Sequence, residues 1–262
     1  MKIVTWNVNS IRTRQTLVVE WLENNPVDVL CLQETKVIDQ DFPKTPFEQL
    51  GYHLYISGQK AYNGVAIFSR FPMEDVSAGF TPIVGETIAL ELDEQKRVIT
   101  GIIGDVRIVN LYVPNGAAIG SDKYEYKLRW LQLLGSYLQA LKDKPPGELC
   151  VCGDFNIALE DIDIHNPKGK EKHIMSSADE RQALKNVLEV GLADAFRKFT
   201  PEGGHFTWWD YRAGGFPRNR GWRIDHHYLT PNLYQRAISC KIDVEPRKLP
   251  KPSDHTPVIV EF

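Results

Sequence analysis

The residues Leu149-Cys-Val-Cys-Gly-Asp-Phe-Asn156 join a short apolar run to polar side chains at its end. The apolar part, residues 149–152, is typical of a buried strand. Asp154 and Asn156 lie two residues apart, so an extended backbone places both side chains on the same face. The segment therefore predicts a buried strand whose carboxyl end presents a carboxylate and an amide to a cleft.

Similar apolar runs occur throughout the chain and alternate with helical patterns. Leucines at three- and four-residue steps between 128 and 141 predict an amphipathic helix. Residues 15–24 and 178–189 also read as helices, because Pro26 and Gly191 lie just beyond their ends. We predict strands at residues 2–8, 27–32, 52–57, 65–68, 88–92, 98–103, 106–113, 149–152, 205–209, 224–229, 241–244 and 258–262. Hairpin-like neighbours such as 88–92 and 98–103 favour mixed or antiparallel sheets.

The composition is that of an ordinary globular protein. Of the 262 residues, 42% are hydrophobic and 25% are charged, which excludes disordered, collagen-like and disulfide-scaffold classes. No linker or repeat divides the chain, so we expect one α/β domain over residues 1–262. Lys and Arg total 31 and Asp and Glu total 34, a net charge of −3. Taken alone, that charge argues against a basic nucleic-acid-binding domain.

The cysteines and the amino terminus point to a reducing compartment. No Cys-x-x-Cys pair occurs, so we expect buried thiols rather than a zinc or redox site. The four cysteines are Cys31, Cys150, Cys152 and Cys240. No signal-peptide pattern is visible, and no apolar run approaches the roughly 20 residues that cross a bilayer. We therefore expect a cytoplasmic protein with no membrane partner.

Seven polar residues stand at the ends of predicted strands. Any one of them is more often a turn or capping residue than a functional group. Together they form a set of hard oxygen donors that suits Mg²⁺, whereas a single histidine among them does not suit zinc. The seven are Asn7, Glu34, Asp154, Asn156, Asp225, Asp254 and His255.

An aromatic and arginine-rich stretch lies between residues 205 and 223. Its aromatic residues are at positions 206, 208, 209, 211, 216 and 222, and its arginines at 212, 218, 220 and 223. Two interpretations stay open: core packing, especially for Phe206 and Trp209, or a nucleic-acid surface. The basic runs 168–173 and 247–251 are equally open between solvated loops and DNA-backbone contacts. His226 and His227 should point in opposite directions and are interpreted as packing residues.

Eight ordered motifs resemble the exonuclease III family of apurinic/apyrimidinic endonucleases over nearly the whole chain. They are WNVNSIR at 6–12, LQETK at 32–36, NGVAIFS at 63–69, LYVPN at 111–115, GDFN at 153–156, GLADAFR at 191–197, WRID at 222–225 and SDH at 253–255. The resemblance implies a DNase I-like, four-layer α/β sandwich, in which two mixed sheets pack face to face with helices outside.

The resemblance also implies a function in base excision repair. A monomeric, Mg²⁺-dependent nuclease, in which Mn²⁺ can substitute, would cut the phosphodiester 5′ to an abasic site in duplex DNA. It would also process blocked 3′ ends as a 3′–5′ exonuclease, 3′-phosphatase or 3′-phosphodiesterase.

Site roles follow from the same resemblance. Asp154 would position or deprotonate the attacking water, and Tyr112 would lie beside the scissile phosphate. Asn156 would hydrogen-bond the attacking or leaving oxygen. His255 would hold a phosphate oxygen, with Asp225 fixing its ring. The implied metal set is Asn7, Glu34, Asp154, Asn156, Asp254 and His255.

The resemblance further assigns a DNA-binding region and leaves alternatives. Trp208, Trp222 and Ile224 would form a pocket for an extruded abasic sugar, Arg212 would probe the duplex opposite the lesion, and Asn115 would contact DNA. His165 lies in a variable loop that we expect to set the balance between abasic and 3′-end activities. The alternatives are a hydrolase of smaller phosphoesters, as in sphingomyelinase or inositol-phosphate phosphatase relatives, and an inactive DNA-damage-binding module.

Overall fold

The computed structural model describes the backbone of residues 1–262 and the side chains of residues 1–85, 89, 91–212 and 214–262. The first sheet contains β1 (Lys2–Asn7), β2 (Val29–Gln33), β3 (His53–Ser57), β4 (Val65–Ser69), β11 (Ser239–Ile242) and β12 (Val258–Glu261). The second contains β5 (Glu74–Ala78), β6 (Val98–Ile103), β7 (Val106–Tyr112), β8 (Leu149–Asp154), β9 (Ala193–Asp194) and β10 (Asp225–Leu229). Their orders are β11-β12-β1-β2-β4-β3 and β5-β6-β7-β8-β10-β9, and both sheets are mixed.

Helices lie on the outer faces of the two sheets, except for the last two, whose buried side chains pack in the apolar layer between the sheets. They are α1 (Ile11–Asn24), α2 (Thr45–Gln49), α3 (Thr81–Val84), α4 (Glu86–Asp93), α5 (Asp122–Lys142), α6 (Ala178–Leu188), α7 (Ala195–Phe199) and α8 (Pro231–Arg236). Helix α5 begins where the Ser121 side chain accepts from the Tyr124 backbone N–H. Helix α6 begins at a capping box of Ser177 and Glu180, which satisfies two otherwise free backbone donors.

Strand alternation builds the layers. In β8, Cys150 and Cys152 pack between the sheets with Ile3 and Val29, because successive side chains point to opposite faces. Leu149 and Val151 of the same strand pack outward in the cluster that contains the buried face of α5. The cluster that holds the apolar face of α1 lies on the outer side of the first sheet. The predicted four-layer sandwich is confirmed.

Most predicted strands are confirmed, and two are wrong. Residues 88–92 lie in α4 instead of a strand, so the predicted hairpin with 98–103 does not form; β6 pairs with β5 and β7. A short apolar run does not by itself distinguish a buried strand from a helix. In residues 205–209, Trp208 makes isolated bridges to Trp222 and His255 without building a strand.

Two further expectations concern the cysteines and membrane-spanning segments. All four cysteines are buried free thiols, as expected. No helix in the part of the chain that the structure describes has the length and apolar character needed to cross a membrane.

The strand ends that carry the predicted site residues lie together at one edge of the two sheets. Parallel pairs β1–β2 and β7–β8 bring the carboxyl ends of four strands together. Strands β10 and β12 run antiparallel to β8 and β1, so their starts reach the same edge; Asp225 is the register partner of Asp154. The topology therefore gathers residues from six separate segments of the chain.

Candidate active site

A compact group of ionisable side chains occupies this edge. Ligand-type atoms of Glu34, Asp154 and His255 all lie within 4.8 Å of one another. Two carboxylates at this spacing provide oxygen donors of the kind that a hard divalent cation accepts. The donor set therefore fits Mg²⁺, with Glu34 and Asp154 as the residues that would hold it.

Asn7 joins the two carboxylates. Its Nδ2 donates to Glu34 Oε1 and to Asp154 Oδ2, each at 2.9 Å. Its Oδ1 accepts from the Asn9 backbone N–H at 3.0 Å. In this orientation Asn7 holds the carboxylates in place, and it would have to rotate its amide to offer oxygen to a metal.

His255 lies between two carboxylates. Its Nδ1 is 2.9 Å and 3.1 Å from the two oxygens of Asp225, and its Nε2 is 3.7 Å from Asp154 Oδ2. Burial lowers the pKa of His255, but the charges of Asp225 and Asp154 outweigh it and raise that pKa to about 10. The ring is therefore a cation at neutral pH, with Asp225 fixing its orientation.

Asp154 is buried, with one hundredth of its surface exposed. Burial raises its pKa and the charge of His255 lowers it, with a net rise to about 7. A carboxylate with a pKa near neutrality suits proton transfer from water.

Glu34 is held as a carboxylate by its neighbours. Tyr112 Oη donates to Oε1 at 2.9 Å, and Lys36 Nζ lies 2.7 Å from Oε2. Burial raises the pKa of Glu34. The charge of Lys36 and the Asn7 hydrogen bond together lower this pKa by more than burial raises it, so the net pKa is below the usual value. Burial and the Glu34 charge raise the pKa of Tyr112 well above its usual value, which keeps Tyr112 a phenol and a hydrogen-bond donor.

The segment after β8 fixes Asn156 beside Asp154. The Asn156 backbone N–H donates to Asp154 Oδ1 at 2.9 Å, and its Nδ2 donates to the Val113 carbonyl at 2.9 Å. Asn115 Nδ2 donates to Asn156 Oδ1 at 3.0 Å. Asn115 and Asn156 thus form one wall of the site.

Three residues of the site have a strained backbone conformation. Glu34, Lys36 and Asn156 have φ values of 52°, 54° and 50°, in the left-handed region that non-glycine residues rarely adopt. Residues held in such conformations cluster at functional sites, where the surrounding contacts determine them.

Beneath that wall lies a fully buried ion pair. Lys127 Nζ is 2.5 Å from Glu180 Oε1 and donates to the carbonyls of Asn156 at 2.8 Å and Asn115 at 3.2 Å. Sequence reasoning missed Lys127, although its three- and four-residue spacing from Tyr124 and Leu131 puts it on the buried face of α5. It missed Lys36 too, two residues from Glu34 in the LQETK motif.

An apolar cluster adjoins the charged group. Trp222 and Ile224 are buried in it with Ile164 and Met175, and half-buried Trp208 packs against it. Trp208 and Trp222 exchange backbone hydrogen bonds, each at 2.9 Å. The structure therefore brings the three predicted pocket residues together.

The predicted specificity-loop residue His165 and the predicted DNA-contact residue Arg212 lie on the surface. His165 lines a cleft of about 460 Å³ with Lys170, Arg220 and Trp222. Arg212 is exposed, and its guanidinium donates to both carboxylate oxygens of Asp210.

A buried network of ion pairs lies next to the pocket residues. Arg223 Nε donates to Asp163 Oδ1 at 2.7 Å, and its Nη2 donates to Asp194 Oδ2 at 2.7 Å. Arg223 stands between Trp222 and Ile224 in the chain, and Asp163 lies just before the His165 loop. The network therefore ties the pocket to that loop.

Part of the aromatic and basic stretch is core. Phe206, Trp209 and Arg223 are buried, which confirms the core interpretation for Phe206 and Trp209 and extends it to Arg223. Arg247 is also buried and donates to the Ser253 carbonyl, so it does not face solvent. His226 and His227 bond to the carbonyls of Ile157 and Val258 in different parts of the core.

Comparisons with known proteins agree on one family. Residues 4–255 match the Endonuclease/Exonuclease/phosphatase family. An exodeoxyribonuclease of Bacillus subtilis is 35% identical over 263 residues, covering 98% of each chain. An AP endonuclease structure from Archaeoglobus fulgidus has 42% identity and a TM-score of 0.92, covering 100% of this chain and 99% of that one. The structure of a 3′ phosphatase from Neisseria, bound to a product DNA hairpin, has 41% identity, a TM-score of 0.94 and the same coverage.

Proposed function

The chain belongs to the endonuclease/exonuclease/phosphatase family, and from that premise we propose that it is a Mg²⁺-dependent DNA-repair nuclease. Its substrates would be duplex DNA with abasic sites, cut 5′ to the lesion, and blocked 3′ ends in base excision repair. It would act as a cytoplasmic monomer, with Mn²⁺ able to replace Mg²⁺. The proposal rests chiefly on the charged cluster of Glu34, Asp154 and His255 beside an apolar pocket.

The residues divide the chemistry of phosphodiester hydrolysis among them. The divalent cation would neutralise negative charge that develops on the phosphate and its oxygens. Asp154 would orient the attacking water and accept its proton, and Asn156 would hydrogen-bond the same oxygen or the leaving one. Cationic His255 and the Tyr112 phenol would each donate to a phosphate oxygen, which stabilises the charge of the transition state.

The pocket supports DNA lesions as the substrate. An abasic nucleotide has lost most of its stacking, so extruding it costs less than extruding an intact one. Half-buried Trp208, packed against buried Trp222 and Ile224, offers an apolar surface of matching character. Exposed Arg220 lines the adjoining cleft with Trp222 and suits a phosphate contact. A hydrolase of small phosphoesters would need neither feature.

One assay separates the possible functions. Duplex DNA with a single abasic site is incubated with the protein in Mg²⁺ or in EDTA, and a 3′-phosphate duplex is tested in parallel. Mg²⁺-dependent nicking or phosphate release supports the proposal. Tight binding without cleavage would indicate a damage-binding module, and neither binding nor cleavage would favour a smaller phosphoester.

Two substitutions test the assigned roles. Asp154→Asn should lower the cleavage rate by roughly 10²- to 10⁴-fold while DNA affinity in EDTA stays near that of the wild type. Equal loss of binding and cleavage would contradict the catalytic role. Glu34→Ala should shift the Mg²⁺ titration to higher concentration, and an unchanged titration would contradict its role as ligand.

The His165 loop is proposed to set the balance of activities. Its side chain borders a cleft that shares Trp222 with the pocket. His165→Gly should therefore change the ratio of abasic-site cleavage to 3′-end processing. The ratio of the two kcat/KM values measures this, and an unchanged ratio would refute the role.

A further inference from the structure

Asp254 is committed to two hydrogen bonds from different parts of the chain. Asn9 Nδ2 donates to its Oδ1 and Trp208 Nε1 donates to its Oδ2, each at 3.0 Å. The atoms that come together within 4.8 Å as a candidate metal cluster belong to Glu34, Asp154 and His255. The contacts of Asp254 therefore point to the pocket wall, which differs from the metal role that the family resemblance implies.

Trp208 depends on this bond for its orientation. The bridges to Trp222 and His255 fix the Trp208 backbone. The half-buried indole has a single polar atom, Nε1, and the hydrogen bond made by that atom distinguishes one ring orientation from another. An indole whose N–H is bound to a carboxylate keeps its apolar body on the Trp222 and Ile224 side. A hydrogen bond to a charged acceptor is also stronger than one between neutral groups.

Asp254 is itself held by a chain that starts in the charged cluster. Lys36 Nζ lies 2.7 Å from Glu34 Oε2 and donates to Asn9 Oδ1 at 2.6 Å. Asn9 then donates to Asp254. The carboxylate that orients Trp208 therefore has a fixed position relative to Glu34.

We propose that Asp254 is a positioning residue for the lesion pocket: by accepting the Trp208 indole hydrogen bond, it fixes the ring face offered to an extruded nucleotide and so increases the preference for abasic over intact DNA. The substrate in this inference rests on the proposed function. The hydrogen bond between Trp208 and Asp254 does not depend on the proposed function.

The first measurement needs no DNA. In a ¹H–¹⁵N spectrum, loss of one indole resonance in Trp208→Phe identifies the Trp208 N–H. That resonance should move upfield in Asp254→Ala, because the carboxylate acceptor is gone. An unchanged resonance would overturn the proposal, whatever the enzyme's substrate.

The second measurement is the ratio of dissociation constants for intact and abasic duplexes in EDTA. Asp254→Ala and Trp208→Phe should each lower this ratio roughly tenfold, as expected for loss of one charge-assisted hydrogen bond. The double variant should be no worse than the more severe single variant, because both remove the same bond. The proposal is overturned if the effects of the two single substitutions multiply in the double variant, or if Asp254→Ala leaves the ratio unchanged.

A paired substitution is the matched control. Combining Asn9→Asp with Asp254→Asn reverses the donor and acceptor of that pair but keeps a neutral oxygen acceptor for Trp208, so the ratio should recover in part. A merely structural role would lower the thermal midpoint and weaken both duplexes alike. If the wild type shows no preference for abasic DNA, the abasic-site part of the proposed function fails, while the indole measurement still tests the positioning.

Discussion

Among single residues, the environment of His255 has the clearest functional consequence. An exposed histidine has a pKa near 6.5 and is largely neutral at pH 8. Here two buried carboxylates face the ring, and its pKa rises to about 10. A buried cation beside Asp154 provides a fixed positive charge where a phosphate oxygen would lie, without a change of conformation during the reaction.

Asp225→Asn should remove much of this effect. With one carboxylate gone, the pKa of His255 should fall towards 6.5, so the variant should lose more activity at pH 8.5 than at pH 6. Stabilisation from the raised pKa is complete below about pH 6.5 and is lost as the pH rises through about 10. An NMR titration of the His255 ring and kcat/KM from pH 6 to 9 measure both effects.

The control for that prediction is a carboxylate remote from the site. Asp105 lies in the turn between β6 and β7, at the opposite end of the sheet from Tyr112. Asp105→Asn should leave the His255 titration unchanged. The same His255 pKa in Asp225→Asn and in the wild type would contradict the electrostatic account.

At the level of helices and strands, the sequence predicted the apolar strands and the polar residues at their ends. It did not predict polar contacts between residues that lie far apart in the chain. The β8 sequence predicted its burial and the closeness of Asp154 and Asn156, but the strand ends at Asp154 and Asn156 has a φ of 50°, so a turn and not strand alternation brings the two together. Strand β5 was missed because most of its residues are exposed and polar, so it lacks the apolar pattern. Lys36 and Lys127 were missed because an isolated lysine in a sequence suggests solvent. Glu180, the partner of Lys127, lies 53 residues further along the chain, and Asn9, the second partner of Lys36, lies 27 residues before it.

The Lys127–Glu180 pair gives a prediction about helices α5 and α6. Lys127→Met should destabilise the protein by about 3–5 kcal/mol, because it leaves the Glu180 charge buried and unpaired. Adding Glu180→Gln removes that charge and keeps a capping box, since glutamine also serves at this position. The double variant should regain most of its thermal midpoint.

Activity should not recover in that double variant. The carbonyls of Asn115 and Asn156 would still lack the ammonium donor, and small displacements of such groups cost roughly 10- to 100-fold in rate. Thermal melts and kcat on abasic DNA provide the comparison. Lys142→Met, which removes a donor to Val190 at the far end of α5, should leave kcat unchanged. Full recovery of kcat in the double variant would show that Lys127 acts on stability alone.

For the molecule as a whole, net charge and DNA binding are separate properties. The net charge of −3 includes the buried acidic residues of the site, so it does not describe the surface that would meet DNA. The arginines at 212, 218 and 220 are exposed, and Arg220 lines the cleft that contains Trp222. Binding should therefore depend on local phosphate contacts, and its salt dependence should report how many there are.

Two exposed arginines allow that expectation to be tested with a matched pair. Arg212 pairs with Asp210 near the pocket, whereas Arg236 pairs with Asp105 at the opposite end of the sheets. Surface pairs of this kind contribute little to stability, so both variants should fold normally. If Arg212 contacts a phosphate, Arg212→Gln should reduce the slope of log K against log salt by about 0.9, and Arg236→Gln should leave it unchanged. Equal slopes for wild type and both variants would mean that Arg212 keeps its contact with Asp210 in the complex and that other cations neutralise the backbone.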